Sequence, residues 1–162
     1  MKMLSLYTAV TLTFAACDSY HKIENKTLAD GSPDTAKQQQ ICSNSAVPNG
    51  YVITGYSNCI SCPGNGNNCI TIQTPFPYPN STTICASSPI PAGYVIIAHA
   101  FAIACPNNSG NNAFTIKIPS DQETICNGSP IPPGYHMIGQ THSNVCANWN
   151  LPGNNAIIIH KK

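Results

Sequence analysis

Beyond residue 40, short β-branched runs alternate with clusters of Pro, Gly and Asn. "CITIQTP", "AFTIKIP" and "AIIIHKK" are the clearest runs, and each reads as a strand. Each is preceded by a longer segment that recurs three times: "ICSNSAVPNGYVITGYSNCISC" from Ile41, "ICASSPIPAGYVIIAHAFAIAC" from Ile84 and "ICNGSPIPPGYHMIGQTHSNVC" from Ile125. The second cysteine lies 20 residues after the first in every copy, and a tyrosine (Tyr51, Tyr94, Tyr135) lies 9 after it. Such self-similarity marks a repeat architecture. The units span about 41–79, 84–119 and 125–162.

Each unit can be built from its turns. Asn49-Gly50, Ala92-Gly93 and Pro133-Gly134 suit the centre of a type II turn, which needs φ > 0 at its third residue and accepts proline at its second. The turn launches a strand of about ten residues. A Gly-Asn-Asn loop follows, tolerant of left-handed backbone, and a second strand returns. The unit is thus a β-hairpin with a leading segment, which the Cys42–Cys62, Cys85–Cys105 and Cys126–Cys146 bonds would pin. A core of about forty residues is small for independent stability. Closing a loop of about twenty residues adds roughly 3 kcal/mol in the chain-entropy model. The predicted fold is all-β: three tandem disulfide-stapled hairpin repeats, stacked in a row or closed around a pseudo-threefold axis like a β-trefoil or β-prism.

Copy one alone carries Cys59 and Cys69. Aligned positions are Ala102 and Ala113 in copy two, and Ser143 and Ala156 in copy three. Small positions that change together imply a cross-strand Cys59–Cys69 bond. That bond predicts a register with Ala102 opposite Ala113, Phe101 opposite Phe114, His99 opposite Ile116 and Ile97 opposite Ile118. In copy one Tyr56 would face Ile72 and Asn58 would face Ile70. In copy three Gln140 would face Ile159, His142 would face Ile157 and His160 would face Gly139. The C-x-x-C of Cys59 and Cys62 follows a strand pattern rather than opening a helix, unlike a thioredoxin site. A zinc site needs about four ligands, usually reduced thiols.

Charge narrows the function classes. Only 8% of residues are charged, and none lies between Ile41 and Ile116. Arginine is absent, so the basic footprint that nucleic acids require is missing. Hydrophobic residues make up 42%, which predicts a folded core. Outside the N-terminal segment the carboxylates are Asp121 and Glu123, in the connector before copy three, where they read as solvated. Few groups remain for acid–base or triad chemistry. His136 and His142, six residues apart on a strand, would stand roughly 20 Å apart. No metal, cofactor or catalytic residue is expected, and the chain is read as non-enzymatic.

The N-terminus adds a compartment. "MKMLSLYTAVTLTFAAC" has a lysine, an apolar run too short to span a bilayer, and small residues before a cysteine. "FAAC" resembles the lipobox of bacterial lipoproteins, with Phe14 in place of the usual leucine. The resemblance covers residues 1–17 and implies a signal peptide over 1–16 and lipid attachment (palmitate) at Cys17. Removing Cys17 leaves eight cysteines, an even set suited to an oxidising compartment. Residues 17–40 then form the lipid-attachment cysteine and a polar, flexible tether.

The best binding candidates are the amides of Asn67, Asn68, Asn111, Asn112, Asn154 and Asn155, with Tyr51, Tyr94, Tyr135 and Trp149 as stacking platforms. The plainer alternative is that each Asn-Asn only turns the chain. The expected role is a binding module for a glycan or an envelope protein, exported and membrane-anchored at the periplasmic or cell-surface side of a bacterial envelope. One alternative is an assembly subunit that self-associates through uncharged strand edges; another is a small secreted inhibitor. "YVIIAHAFAIAC" is the strand whose edge must be covered or shared, and Lys161 and Lys162 would guard the C-terminal edge.

Overall fold

A computed structural model describes residues 36–107, 110–146 and 153–162. The β-branched runs form nine strands in three antiparallel sheets of three. Unit one contains β1 (Gln38–Cys42), β2 (Val52–Ser57) and β3 (Cys69–Gln73). Unit two contains β4 (Ser81–Cys85), β5 (Val95–Ala100) and β6 (Ala113–Lys117). Unit three contains β7 (Gln122–Cys126), β8 (Tyr135–Thr141), a short 3-10 turn at Asn144–Cys146 and β9 (Ala156–Lys161). Within every sheet the third strand is central and pairs with both others. The leading segment is therefore a strand in its own right and begins about three residues earlier than the repeat pattern suggests. Among the described residues there is no α-helix and no closed barrel.

The turns take the expected form. Tyr51, Tyr94 and Tyr135 donate their backbone N–H to Pro48, Pro91 and Pro132 at 3.1 Å. Gly50, Gly93 and Gly134 hold φ of +82°, +88° and +87°, as the third residue of a type II turn requires.

Four cysteine pairs lie at bonding distance: Cys42–Cys62, Cys59–Cys69, Cys85–Cys105 and Cys126–Cys146, with Cα separations of 5.4, 5.7, 5.3 and 5.2 Å. The pairing inferred from the repeats is the one observed. The register inferred from it is not. Tyr56 faces Ile70 and Ile53 faces Ile72. His99 faces Phe114, Ile96 faces Ile116 and Ala100 faces Ala113. Gln140 faces Ile157, Met137 faces Ile159 and His136 faces His160. Two features cause the difference. All three second strands carry a bulge, at Ile53/Gly55, Ile96/Ala98 and Met137/Gly139. An extra residue there turns the strand and moves everything beyond it to a new partner. The second strand also stops at Ser57, opposite Cys69, so Cys59 reaches Cys69 from the loop rather than across a ladder.

The units pack in series, and the same joint is made twice. The face of unit one formed by Ile53, Ile70 and Ile72 packs on Cys85, Cys105 and Ala113 of unit two. The face of unit two formed by Ile84, Ile96 and Ile116 packs on Cys126, Cys146 and Ala156 of unit three. Val95 joins Ile125 and Ile159 in a third buried cluster. The Cys85–Cys105 and Cys126–Cys146 cystines thus complete the core of the unit before them. Serine hydroxyls lock both joints. Ile53 N–H donates to Ser88 Oγ and Ile96 N–H to Ser129 Oγ, both at 2.8 Å. A buried strand amide without such a partner would cost about 1–3 kcal/mol.

Closure around a threefold axis would bury the equivalent face of unit three. Instead Met137, which matches Ile53 and Ile96, is 51% exposed, and the units stand in a row. Within "YVIIAHAFAIAC", Val95, Ile96 and Ile97 are covered by unit three, while Phe101 and Ile103 beyond the strand are exposed; β8 is the strand left bare. Lys161 ends the central strand β9, so the lysines do not line an edge.

Candidate functional site

The Gly-Asn-Asn loops divide into two kinds of asparagine. The second of each pair is structural. Asn68 Oδ1 accepts from Cys59 N–H at 2.8 Å, and its Nδ2 donates to the carbonyls of Cys59, Cys62 and Gly64. Asn112 does the same with Ala102 N–H, Ala102 O and Cys105 O. Asn155 brackets Ser143 N–H and O at 2.8 and 3.0 Å. Each amide imitates a missing strand and fixes the loop that carries the second cysteine. The first asparagines serve the turn. Asn67 adopts φ +45°, next to Gly66 at +59°. The Asn154 carbonyl accepts from Asn127 Nδ2 at 3.0 Å. Asn111 lines a shallow cavity of about 350 Å³ with Ser87, Pro106 and Asn107. Trp149 lies outside the described residues.

The tyrosines gather at the opposite, turn end of the units. Tyr94 hydroxyl donates to Phe76 O at 3.0 Å, and Tyr135 hydroxyl to Pro119 O at 3.0 Å. Each ties a turn to the connector that leads into its own unit. Burial raises the Tyr94 phenol pKa above its ordinary 10.0, so the hydroxyl is held as a donor. Tyr51 is half-buried and packs against the core between units one and two.

Between the turns of units one and two lies a groove of about 670 Å³. Val47, Pro48 and Tyr51 form one wall, and Ile90, Pro91 and Tyr94 the other. Half-buried Thr74 and Pro75 also line it, and Asn49, Pro89 and Ala92 line it at exposed positions. It exists because two identical turns stand side by side one unit apart. Of the sequence candidates it takes Tyr51 and Tyr94; Tyr135 sits on the next turn, and the Asn-Asn loops are elsewhere. The prolines and aliphatic residues of "AVPNGY" and "PIPAGY" read in the sequence only as turn formers. Their shared apolar residue before proline was the available signal.

The ionisable groups are mostly engaged. Lys117 Nζ meets Glu123 Oε2 at 2.6 Å, in a pair whose side chains are each 18% exposed, and Glu123 also accepts from Ser120 N–H. Glu123 is therefore not the solvated connector charge its position suggested; Asp121 is, at 84% exposed. His99 packs against the Phe114 ring, and His142 Nδ1 lies 3.0 Å from Gly153 O. His136 and His160 meet edge to face across β8 and β9, whose register pairs His160 with His136 rather than Gly139. Among the described residues no three His, Cys, Asp or Glu converge as metal ligands.

Comparison with protein-family models, with curated proteins and with solved structures yields no match for the chain.

Proposed function

We propose that the chain is a non-enzymatic binding module of the bacterial envelope, lipid-anchored through Cys17, which holds an extended apolar segment of a protein partner in the groove between its first two turns. The groove is the observation that carries this reading. It encloses about 670 Å³ and is lined by Val, Ile, Pro and Tyr. Cystines pin the sheets behind it, and tyrosine hydroxyls pin the turns. A preformed groove loses little conformational entropy on binding. Proline and tyrosine walls suit an extended peptide.

A protein segment is favoured over a glycan on polar grounds. Sugars need convergent amide and hydroxyl partners. The second asparagines of all three loops are consumed by the fold, and Tyr94 hydroxyl is consumed by Phe76 O.

Ala92→Arg tests the site without touching the core, since Ala92 lines the groove at an exposed position. The full chain should select apolar, extended sequences from a random peptide library, and Ala92→Arg should weaken each selected peptide at least tenfold. Selection of glycans but no peptides, or peptides indifferent to Ala92→Arg, would overturn the reading.

A further inference from the structure

Units one and two each present a second strand that the next unit covers, and among the described residues the matching strand of unit three is bare at Met137, while Ile159 beside it is already buried against Val95 and Ile125. We infer that a second copy of this chain docks there through the outer face of its own unit one, extending the internal packing head to tail. The two surfaces are the unmatched halves of a joint the molecule already makes twice.

The equivalences are residue by residue. Ser45, three residues after Cys42, matches Ser88 and Ser129, whose hydroxyls receive the strand amides of Ile53 and Ile96. Ser45 is exposed. Met137 matches Ile53 and Ile96, and no described unit brings a serine to its edge. Gly139 matches Gly55. At Gly55 a Cβ would come within 3.1 Å of Ala104 Cβ, because the following unit presses there and Ala104 O accepts Tyr56 N–H at 2.7 Å. At Gly139 the nearest atom to such a Cβ is the Ile158 tip at 3.9 Å, in its own sheet. Gly139 does not have a positive φ, so its backbone does not require glycine. Glycine within a strand costs about 0.5–1 kcal/mol relative to alanine. At the second joint the same position is Ala98, so the joint does not require glycine; at Gly139 the glycine leaves room for an arriving loop, and Ser61 is the residue of unit one that matches Ala104.

The extra cystine also finds a partner. Ala102 and Ala113 pack in a cluster with Tyr56 and Ile70 of unit one. In the proposed joint the bulkier Cys59–Cys69 pair would meet Gln140 and Ile157, where glutamine replaces the larger tyrosine. Met137 is flexible enough to adapt to that surface. Residues 41–79 carry no charge, so unit one brings no repulsion to Lys161 and Lys162. The joint is heterologous: each copy keeps one free head and one free tail, so association continues as an open row. It is separate from the groove, and either can fail alone.

Sedimentation of the full chain over a concentration series should show mass rising past the dimer. Met137→Glu blocks the tail and Ser45→Arg blocks the head, both at exposed positions. Each alone should weaken association at least tenfold. Their equimolar mixture should form a dimer and nothing larger, because one sound tail and one sound head remain. A wild-type chain that stays monomeric overturns the inference. So does a Ser45→Arg protein that still dimerises, since that means tail-to-tail pairing. Association that survives both substitutions, or a mixture that stays monomeric, overturns it as well.

Discussion

Strands β5 and β8 occupy the same place in successive units. Both follow a type II turn, both pair with a central third strand, and both carry the bulge four residues after the turn glycine. Yet Val95 and Ile96 are 0% and 5% exposed, while Met137 is 51% exposed. Nothing within the two sheets accounts for that. The cover over β5 comes from Ile125, Ile159, Cys126, Cys146 and Ala156 of the unit behind it. Burial here belongs to the joint between neighbours, as expected of an array held by nearest-neighbour contacts.

That contrast can be broken most sharply at its centre. Ile96→Ala should cost about 2–5 kcal/mol, the usual range for emptying a buried isoleucine site. Met137→Ala, at the matching bare position, should stay within about 0.5 kcal/mol. Urea unfolding of the two variants side by side checks both. Asn112→Ala should cost about 1–3 kcal/mol, since it strands Ala102 N–H and the carbonyls of Ala102 and Cys105. Asn155→Ala should cost less in the same assay, because Asn155 is less buried. Ser88→Ala should cost about 1 kcal/mol through the lost bond from Ile53 N–H. Ser45→Ala should leave the unfolding curve of the monomer unchanged; a loss equal to that of Ser88 would mean Ser45 already has a partner.

The smallest effect is one of pH. The Tyr94 pKa is raised by burial, so the folded chain keeps a proton that the unfolded chain releases near pH 10. The neutral phenol's contribution is complete below about pH 10 and is lost as pH rises through the folded value. Thermal unfolding midpoints measured between about pH 8 and 11 should fall less steeply for Tyr94→Phe than for the wild-type chain.

Much of the unit was legible because its chemistry recurs at fixed spacing. Cysteines 20 apart, a glycine before each tyrosine and paired small residues opposite Cys59 and Cys69 led to the right bonds and turns. The bulge was not legible. Thr54, Ile97 and Ile138 share no backbone-breaking residue, and an extra residue in a strand leaves no mark in a β-branched run. The joints were hidden for a different reason. Ser45, Ser88 and Ser129 recur three residues after a cysteine, but a serine in a turn looks the same whether its hydroxyl meets water or the next unit. The asparagines were visible as a pattern and ambiguous in role; the carbonyls that Asn68 and Asn112 satisfy are brought to them only by the folded loop.

The placement of the Cys85–Cys105 and Cys126–Cys146 cystines against the preceding sheets sets an order of assembly. A chain that enters an oxidising compartment N-terminus first presents unit one before the others. Its strands can pair at once, but Ile53 and Ile72 stay wet until Cys85 and Cys105 have arrived and been oxidised. Unit two waits in turn for Cys126 and Cys146. Maturation therefore runs one unit behind arrival, and a chain stalled between units would keep an oily sheet exposed to whatever chaperone or protease is nearest.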